Sequence, residues 1–425
     1  MRPACGGSLR DEGKGEGPAF PIRTTTEPHH PEEHPEMADS SRAQLYYLAE
    51  STWGATPAAA LTQMRFTSES LGFQIQNTTS REVRADRQIA DLIQTGAEAS
   101  GSVEVELSYG AHDALLAAAL FSAWGTPVAI SVADDIAASN AGASFTSTTT
   151  DFAAAGIVVG QWVRVGGFAA SGGANNGYYR VTSVAANALG VSPAPVQDEA
   201  AAGLTVAVAG TLLRNGVIET SFTLEKQFTD IGQMIAFTGM VPGSLGLDIR
   251  TGAVITGSVA FTGKAATIGT SSVGTGTPED APTNPVMNAV GHVGEVRENG
   301  VKLPEAALRE LSIRLDNGLR GIQAVGSLGN VDVGSGRCTV TGRVSVYFAD
   351  GALYAKYLAG TPTSLSFRVT DSAGNGYVVT LPRVKLTRGT VVAGGNDQDV
   401  LADFDLQALR DPDTDCTLQI DRFAA

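Results

Sequence analysis

The sequence predicts a mainly β protein, and three observations support this fold class. Glycine is frequent (50 of 425 residues) and aromatic residues make up only 6% of the chain, a composition that favours strands and turns over helical bundles. Residues 101–109, GSVEVELSY, alternate strictly between small or apolar and polar side chains, which is typical of a half-buried antiparallel strand. Residues 128–212 contain short strand-like runs separated by tight turns, including Asn176–Gly177.

The chain divides by composition into four parts. Residues 1–37 are rich in Pro, Gly and charge, so we expect them to be disordered or to be an extension upstream of the true start. Residues 38–127 and 213–425 are predicted to form the main core. Within the second of these, residues 264–290 are rich in Gly, Thr, Ser and Pro and are predicted to be a long flexible loop. Residues 128–212 are predicted to be a small all-β module inserted into the core.

A strand that runs into a short helix occurs twice, 238 residues apart. The first copy is SYGAHDALLAAAL (108–120) and the second is VYFADGALYAKYL (346–358). Both copies then reach Gly-Thr-Pro. The pattern predicts two short flanking helices and a structural duplication, with chance recurrence of a common strand–turn–helix pattern as the alternative. The matched positions are Tyr109 with Tyr347, Leu115 with Leu353, Leu116 with Tyr354, and Leu120 with Leu358.

Charge and motif content argue against several classes of function. The formal net charge of −15 opposes nucleic-acid binding by phosphate neutralisation, which needs clustered Lys and Arg. The three cysteines are too few and too scattered for a disulfide framework or a zinc site. No nucleophile–base pair or phosphate-binding loop is recognisable, so we expect no catalytic residue, cofactor or metal. No apolar run approaches the ~20 residues of a membrane span, so we expect no membrane insertion.

Long stretches of the chain resemble the tail tube (major tail) proteins of long-tailed, non-contractile bacteriophages. They include YYLAESTWGATP, LRELSIRLDNGLRGIQAVGSLG and LPRVKLTRGTVVAGGNDQDVLADFDLQALRD, and the resemblance covers residues 38–425. It implies a β-sandwich or partial-barrel tube core with flanking helices, six tube units per ring, and rings stacked into a hollow virion tail that assembles in the host cytoplasm. It also implies tape-measure, tail-terminator and tail-tip proteins as partners, and DNA that passes through without specific binding.

Three points stay open in the sequence. A duplicated chain would close a ring with three copies, whereas one tube unit per chain would need six. Glu104 and Glu106 share one face of the alternating strand and are candidates for the lumen, where carboxylates repel phosphates; the alternative is that they face solvent outside the tube. The other class of function is a β-rich virion adhesin whose 128–212 module recognises a host glycan, against which the low aromatic content counts.

Overall fold

The computed structural model describes residues 37–304 and 308–425. Within these residues it contains 26 β-strands and two short α-helices, so the prediction of a mainly β protein with short flanking helices is confirmed. Apart from its last residue, the predicted N-terminal extension lies outside the described residues.

The first part of the chain forms five strands and a helix. β4 and β5 make a long hairpin, and β5 begins well before the alternating stretch that predicted it. The elements are β1 (Ala43–Ala49), β2 (Thr62–Met64), β3 (Ser68–Glu69), β4 (Gly72–Thr79), β5 (Leu92–Glu106) and α1 (Asp113–Ala119), after a 3-10 turn at Ser40–Arg42.

The next seven strands form one antiparallel sheet with a hydrophobic core of its own. Its order is β7–β8–β11–β10–β9–β12–β6, and fully buried Phe145, Phe152 and Leu189 lie in its core. We call this sheet the insert. The strands are β6 (Val128–Ala133), β7 (Ala137–Ser139), β8 (Ser144–Thr146), β9 (Trp162–Gly166), β10 (Gly177–Ala185), β11 (Ala188–Ser192) and β12 (Thr205–Arg214), with a 3-10 turn at Ala170–Gly172.

Four strands follow the insert: β13 (Phe222–Phe228), β14 (Gln233–Arg250), β15 (Thr256–Gly263) and β16 (Ala265–Gly269). β16 falls at the start of the predicted flexible loop 264–290 and pairs with β14. Beyond it, Ser272 Oγ and Val273 N donate to the two carboxylate oxygens of Glu225 at 2.8 and 2.7 Å. Part of the predicted loop is therefore a paired strand, and part is held to β13 by hydrogen bonds.

The remaining elements complete the fold. They are β17 (Val293–Glu298), β18 (Val301–Lys302), β19 (Leu308–Asp316), β20 (Arg320–Ile322), β21 (Asp332–Gly334), β22 (Thr339–Tyr347), α2 (Ala352–Ala359), β23 (Thr363–Thr370), β24 (Gly376–Val392), β25 (Leu401–Ala408) and β26 (Gln419–Phe423).

The same strand pairings occur twice. In one set β1–β13–β14–β15–β5–β4 are neighbours in that order, and β16 also pairs with β14. In the other set β17–β23–β24–β25–β22–β19 are neighbours, and β26 also pairs with β24. Helix α1 follows β5 just as α2 follows β22. We call these two sets the first and second repeats.

Irregularities in the strands also match between the repeats. The β14–β15 register shifts between Pro242 and Ser244, and the β24–β25 register shifts at the equivalent place, between Leu386 and Arg388. Because a bulge adds one residue to one strand at a defined point, coincident bulges tie the two repeats together residue by residue. A second coincident pair lies in the β13–β14 and β23–β24 pairings, where the register shifts at Phe222/Leu224 and at Thr363/Leu365.

The strand pairings correct one of the predicted matches. Glu106 pairs with Thr256, the first residue of β15, and Tyr347 pairs with Leu401, the first residue of β25. Glu106 and Tyr347 are therefore equivalent, whereas Tyr109 lies beyond the end of β5. The match of Tyr109 with Tyr347 is wrong because the connection from strand to helix is longer in the first repeat than in the second.

The two repeats join into one eight-stranded sheet. Its order is β4–β5–β15–β14–β19–β22–β25–β24, and the pairing of β14 with β19 connects the repeats. One row of side chains facing the core shows the continuity across this connection: Val103, Val259, Leu245, Leu315 and Val340 are neighbours on consecutive strands. Within one chain, the described strands do not close into a barrel.

A second layer covers the core face of this sheet and gives a β-sandwich. The N-terminal half of β14 pairs with β13 and β16, and that of β24 pairs with β23 and β26. Residues from both layers share two hydrophobic clusters, one per repeat, together with side chains of the helices. The insert joins the second layer, because β12 continues into Thr211–Arg214 and pairs there with β26.

Candidate functional site

The face of the eight-stranded sheet turned away from the core is polar. We call it the polar face. Side chains alternate along every strand, so each apolar core residue is followed by a residue on this face. Its polar members on six of the strands include Glu98, Ser100, Ser102, Glu104, Glu106, Thr256, Ser258, Thr262, Ser244, Asp248, Arg250, Glu310, Ser312, Arg314, Asp316, Thr339, Thr341, Arg343, Asp403, Asp405 and Gln407.

Glu104 and Glu106, the predicted lumen residues, lie on the polar face. They pair with Ser258 and Thr256 of β15, and both are half-buried. Between them, Val105 points into the core and is 5% exposed, so Glu104 and Glu106 point away from the core, as the alternation in the sequence predicts.

Charge is distributed unevenly over the polar face. On β5 the charged residues are all acidic: Glu98, Glu104 and Glu106. At the junction of the repeats and on the second repeat, carboxylates alternate with arginines. The arginines are 54–65% exposed, so each ion pair contributes at most about 1 kcal/mol. The pairs are Arg250–Glu310 (3.2 Å), Arg314–Asp248 (3.7 Å) and Arg343–Asp403 (3.5 Å).

The two ends of the eight-stranded sheet are free edges. β3 and β4 pair with β5 on one side, and β24 from Lys385 to Val392 pairs with β25 on one side. On the other side of each, no strand among the described residues forms a ladder. Such edges present unpaired N–H and C=O groups that favour pairing with another chain.

The predicted strand–helix residues have different environments in the two repeats. In the first, Leu115 and Leu120 are 2% and 1% exposed, while Tyr109 and Leu116 are half-buried against the second repeat's core. In the second, Leu353 and Tyr354 are half-buried, but Tyr347 and Leu358 are 40% and 69% exposed. Leu358 is therefore largely exposed in the single chain, unlike the buried Leu120 with which the sequence matched it.

Helix α1 is covered because the second repeat packs over it. Tyr377 of β24 donates its hydroxyl hydrogen bond to Asp113 Oδ1 at 2.6 Å and accepts one from Gly110 N at 2.8 Å. Arg422 of β26 pairs with Asp113 Oδ2 and stacks over Trp124. The sequence did not indicate this network, because Tyr377 and Arg422 lie more than 260 residues from Asp113 and belong to no local motif with it.

At the C-terminal end of α1 the covering residue is Asn317, which follows β19. Its Nδ2 donates to Ala119 O at 2.9 Å. Within the described chain, nothing comparable covers the end of α2.

The structure provides little for chemistry or metal binding. Across residues 37–304 and 308–425, no group of three or more His, Cys, Asp or Glu side chains has the arrangement of a metal site. His112 is buried before α1, and burial lowers the pKa of its imidazole. Neither helix in the described part of the chain is long and apolar enough to cross a membrane.

Comparison with known proteins agrees with the resemblance noted in the sequence. The model of the phage tail tube protein family matches residues 40–408, a region that runs from the start of the first repeat to the end of β25 and includes the insert. No curated protein matched the chain. Because the family match spans most of the 425 residues, the chain belongs to the phage tail tube protein family.

Proposed function

We propose that copies of this chain close into rings that stack into a hollow tail tube, through which phage DNA is delivered into the host. Membership of the family assigns the chain a structural role in the virion tail. The observation that carries the finer proposal is the eight-stranded sheet, which has one polar face and a free edge at each end. Pairing of these edges between copies removes both edges and closes the sheet on itself.

The topological repeat supports a ring of three chains. Each chain contributes two tube units of four strands to the sheet, so three chains supply six units. Twenty-four strands spaced ~4.8 Å apart and tilted by ~40° give a barrel with a backbone diameter of about 48 Å. A duplex is roughly 20 Å wide and passes with room for side chains. Six chains would double the diameter to about 96 Å, far wider than the duplex requires.

We assign the polar face to the lumen. The opposite face of the sheet is occupied by the second layer and the helices, so closure of the sheet leaves the polar face to line the bore. Glu104 and Glu106 then lie on the lumen wall in every first repeat. Carboxylates repel phosphates, and the arginines of this face are partly neutralised by ion pairs. DNA therefore slides along the wall without specific binding.

The attachment of the insert supports an outer position. It extends the second layer through β12 and β26 and does not touch the eight-stranded sheet by strand pairing. Tape-measure, tail-terminator and tail-tip proteins are the partners that a tube of defined length requires at its centre and its two ends. Assembly in the host cytoplasm follows from the same role.

Negative-stain electron microscopy of the purified full chain tests the proposal. We expect rings or tubes of uniform bore, with class averages of threefold or pseudo-sixfold symmetry. Solid fibres, or rings whose symmetry is not a multiple of three, would contradict it. A chain that stays monomeric at high concentration even when a tail-tip complex is added would also contradict it.

A further inference from the structure

We infer that neighbouring chains join by pairing the free edge of β24 with the free edge of β3 and β4, in the register already used inside each chain by β14 and β19. This inference rests on the ring proposed above and specifies its contact surface. The partner is a second copy of this chain. We call the internal pairing the internal joint and the proposed one the external joint.

The repeats define which edges correspond. In the internal joint, β14 of the first repeat meets β19 of the second. The equivalent of β14 is β24, and no strand in the described part of the chain pairs with the corresponding side of its C-terminal half. The equivalent of β19 is the β3–β4 segment, and among residues 37–304 and 308–425 no strand pairs with its outer side either. Each chain therefore carries one complete joint and the two separate halves of another.

The coincident bulges allow the register to be transferred residue by residue. Ser244, just after the bulge of β14, pairs with Asp316 in the internal joint. The residue just after the bulge of β24 is Arg388. Ala99 of β5 and Val340 of β22 are equivalent residues, and they pair with Phe73 and Leu315. Phe73 and Leu315 are therefore equivalent, and so are the residues that follow them, Gln74 and Asp316. Arg388 of one chain is thus opposite Gln74 of the next.

The rest of the external joint follows from this pair. On the polar side, Thr390 is opposite Gly72. On the core side, Gly389 is opposite Phe73, and Val391 is opposite Leu71. The internal joint has Leu245 opposite Leu315 and Leu247 opposite Ile313 at the corresponding positions, so both joints continue an apolar core row. The half-buried state of Phe73 and Val391 in the single chain leaves area for this contact.

The exposed end of α2 supports the same arrangement independently. In the internal joint, Asn317 covers the end of α1, where Ala119 and Leu120 are 0% and 1% exposed. The residue of the first repeat equivalent to Asn317 is Ile75, next to Gln74. Ile75 is 42% exposed and Leu358, at the end of α2, is 69% exposed. The external joint brings these two apolar side chains together and buries both.

The charges near the two edges are compatible. Lys385 and Arg388 lie on the polar side of the β24 edge, and both are exposed. On the other edge, Glu98 of β5 pairs with Gln74 and is the nearest charged residue on that face. Lys226 Nζ already donates to Leu71 O at 2.7 Å. A carbonyl oxygen has two lone pairs, so this bond does not prevent a further one.

Cysteine cross-linking in the full chain tests the register. The matched variant carries Gln74→Cys with Arg388→Cys, and the shifted variant carries Gln76→Cys with Arg388→Cys. Directly opposed residues have Cα atoms about 4.5–5.5 Å apart, which suits a disulfide, whereas a two-residue slip separates the side chains by about 7–8 Å. The two single Arg388→Cys and Gln74→Cys variants measure the background from the native thiols.

After mild oxidation of assembled rings, we expect a covalent three-chain species from the matched variant and only background from the others. If rings form but the shifted variant cross-links, the register is wrong. If rings form and neither variant cross-links, the edges do not pair as stated. In both cases the proposed function stands. If the unmodified chain forms no rings, the proposed function and this inference fail together.

Hydrogen exchange on the unmodified chain gives a second, cysteine-free readout. The backbone amides of residues 70–74 and 388–392 should gain protection when free chains assemble into rings. Rings in which both segments exchange as fast as in the free chain would overturn the inference.

Discussion

Truncation of Leu358 should weaken ring formation without unfolding the subunit. Complete burial of a leucine side chain is worth about 1.5–3 kcal/mol. Leu358 is 69% exposed in the single chain, so roughly 1–2 kcal/mol of that remains to be gained on assembly. Replacing it by Ala retains one methyl group and forfeits about 1–1.5 kcal/mol per external joint. A closed ring of three chains has three such joints, so the loss is about 3–5 kcal/mol per ring.

This loss is large enough to measure by sedimentation velocity over a concentration series. At about 1.4 kcal/mol per factor of ten, the association constant falls roughly 10²- to 10³·⁵-fold. For three chains, the concentration of half-assembly varies with the inverse square root of that constant, so Leu358→Ala should raise it about 10- to 60-fold. The melting temperature of the free subunit should stay unchanged, because Leu358 is exposed there.

Val196→Ala provides the matched control. Val196 is 64% exposed, similar to Leu358, but lies in the insert and outside the proposed joint. Its truncation should leave the half-assembly concentration unchanged. The reasoning would be refuted if Leu358→Ala assembled like the unmodified chain, or if both variants shifted assembly equally.

Three further predictions concern the subunit and the lumen. Tyr377→Phe removes a hydrogen bond to the Asp113 carboxylate and one from Gly110 N, so urea denaturation should show a loss of about 2–4 kcal/mol; a loss below ~0.5 kcal/mol would contradict the role of this network. Burial raises the pKa of Asp421 to about 8, well above the 3.8 of a solvated aspartate. Between these values the unfolded chain releases a proton that the folded chain retains, so stability falls as pH rises from about 4 to 8. Asp421→Asn should remove that decline, and parallel profiles of melting temperature against pH for the two proteins would count against it. The double variant Glu104→Lys with Glu106→Lys should leave tubes intact but make them retain DNA at low salt. A charge reversal of a surface carboxylate in the β25–β26 loop should not cause DNA retention. Equal DNA retention by both variants would place the two glutamates outside the lumen.

The sequence predicted those elements of the fold that a short stretch of residues determines by itself. The alternation of Val103 and Val105 with Glu104 and Glu106 identified a strand and its two faces, because one face is buried along the whole stretch. The first four residues of β5, 92–95, gave no such signal because their side chains are exposed on both faces of the hairpin. The helices were predicted because each places two or more apolar side chains against the core.

The repeat was detectable but its register was not. The similarity between the copies lies in the helices, whereas the strands match only through pairing partners and bulges. Equivalent positions carry unlike residues: Glu106 corresponds to Tyr347, and Leu245 corresponds to Gly389. The two residues of such a pair occupy the same place in the sheet but have different side-chain chemistry. Aligning the two repeats by residue identity therefore matches the wrong positions.

The duplication changes what a mutation at a joint can do. In a ring of three chains, three of the six joints are internal and form whenever the chain folds, because covalent linkage replaces association at low concentration with intramolecular pairing. Only the three external joints depend on subunit concentration. Damage to β14 or β19 therefore appears as a loss of subunit stability, whereas damage to the equivalent residues of β24 or β4 appears as a loss of assembly. The proposed external joint is free to differ in composition: in it, Ile75 beside Leu358 takes the place of the hydrogen bond from Asn317 to Ala119. An apolar contact of this kind leaves no buried polar group unpaired in the free chain, which suits a surface that must be stable in water before it meets its partner.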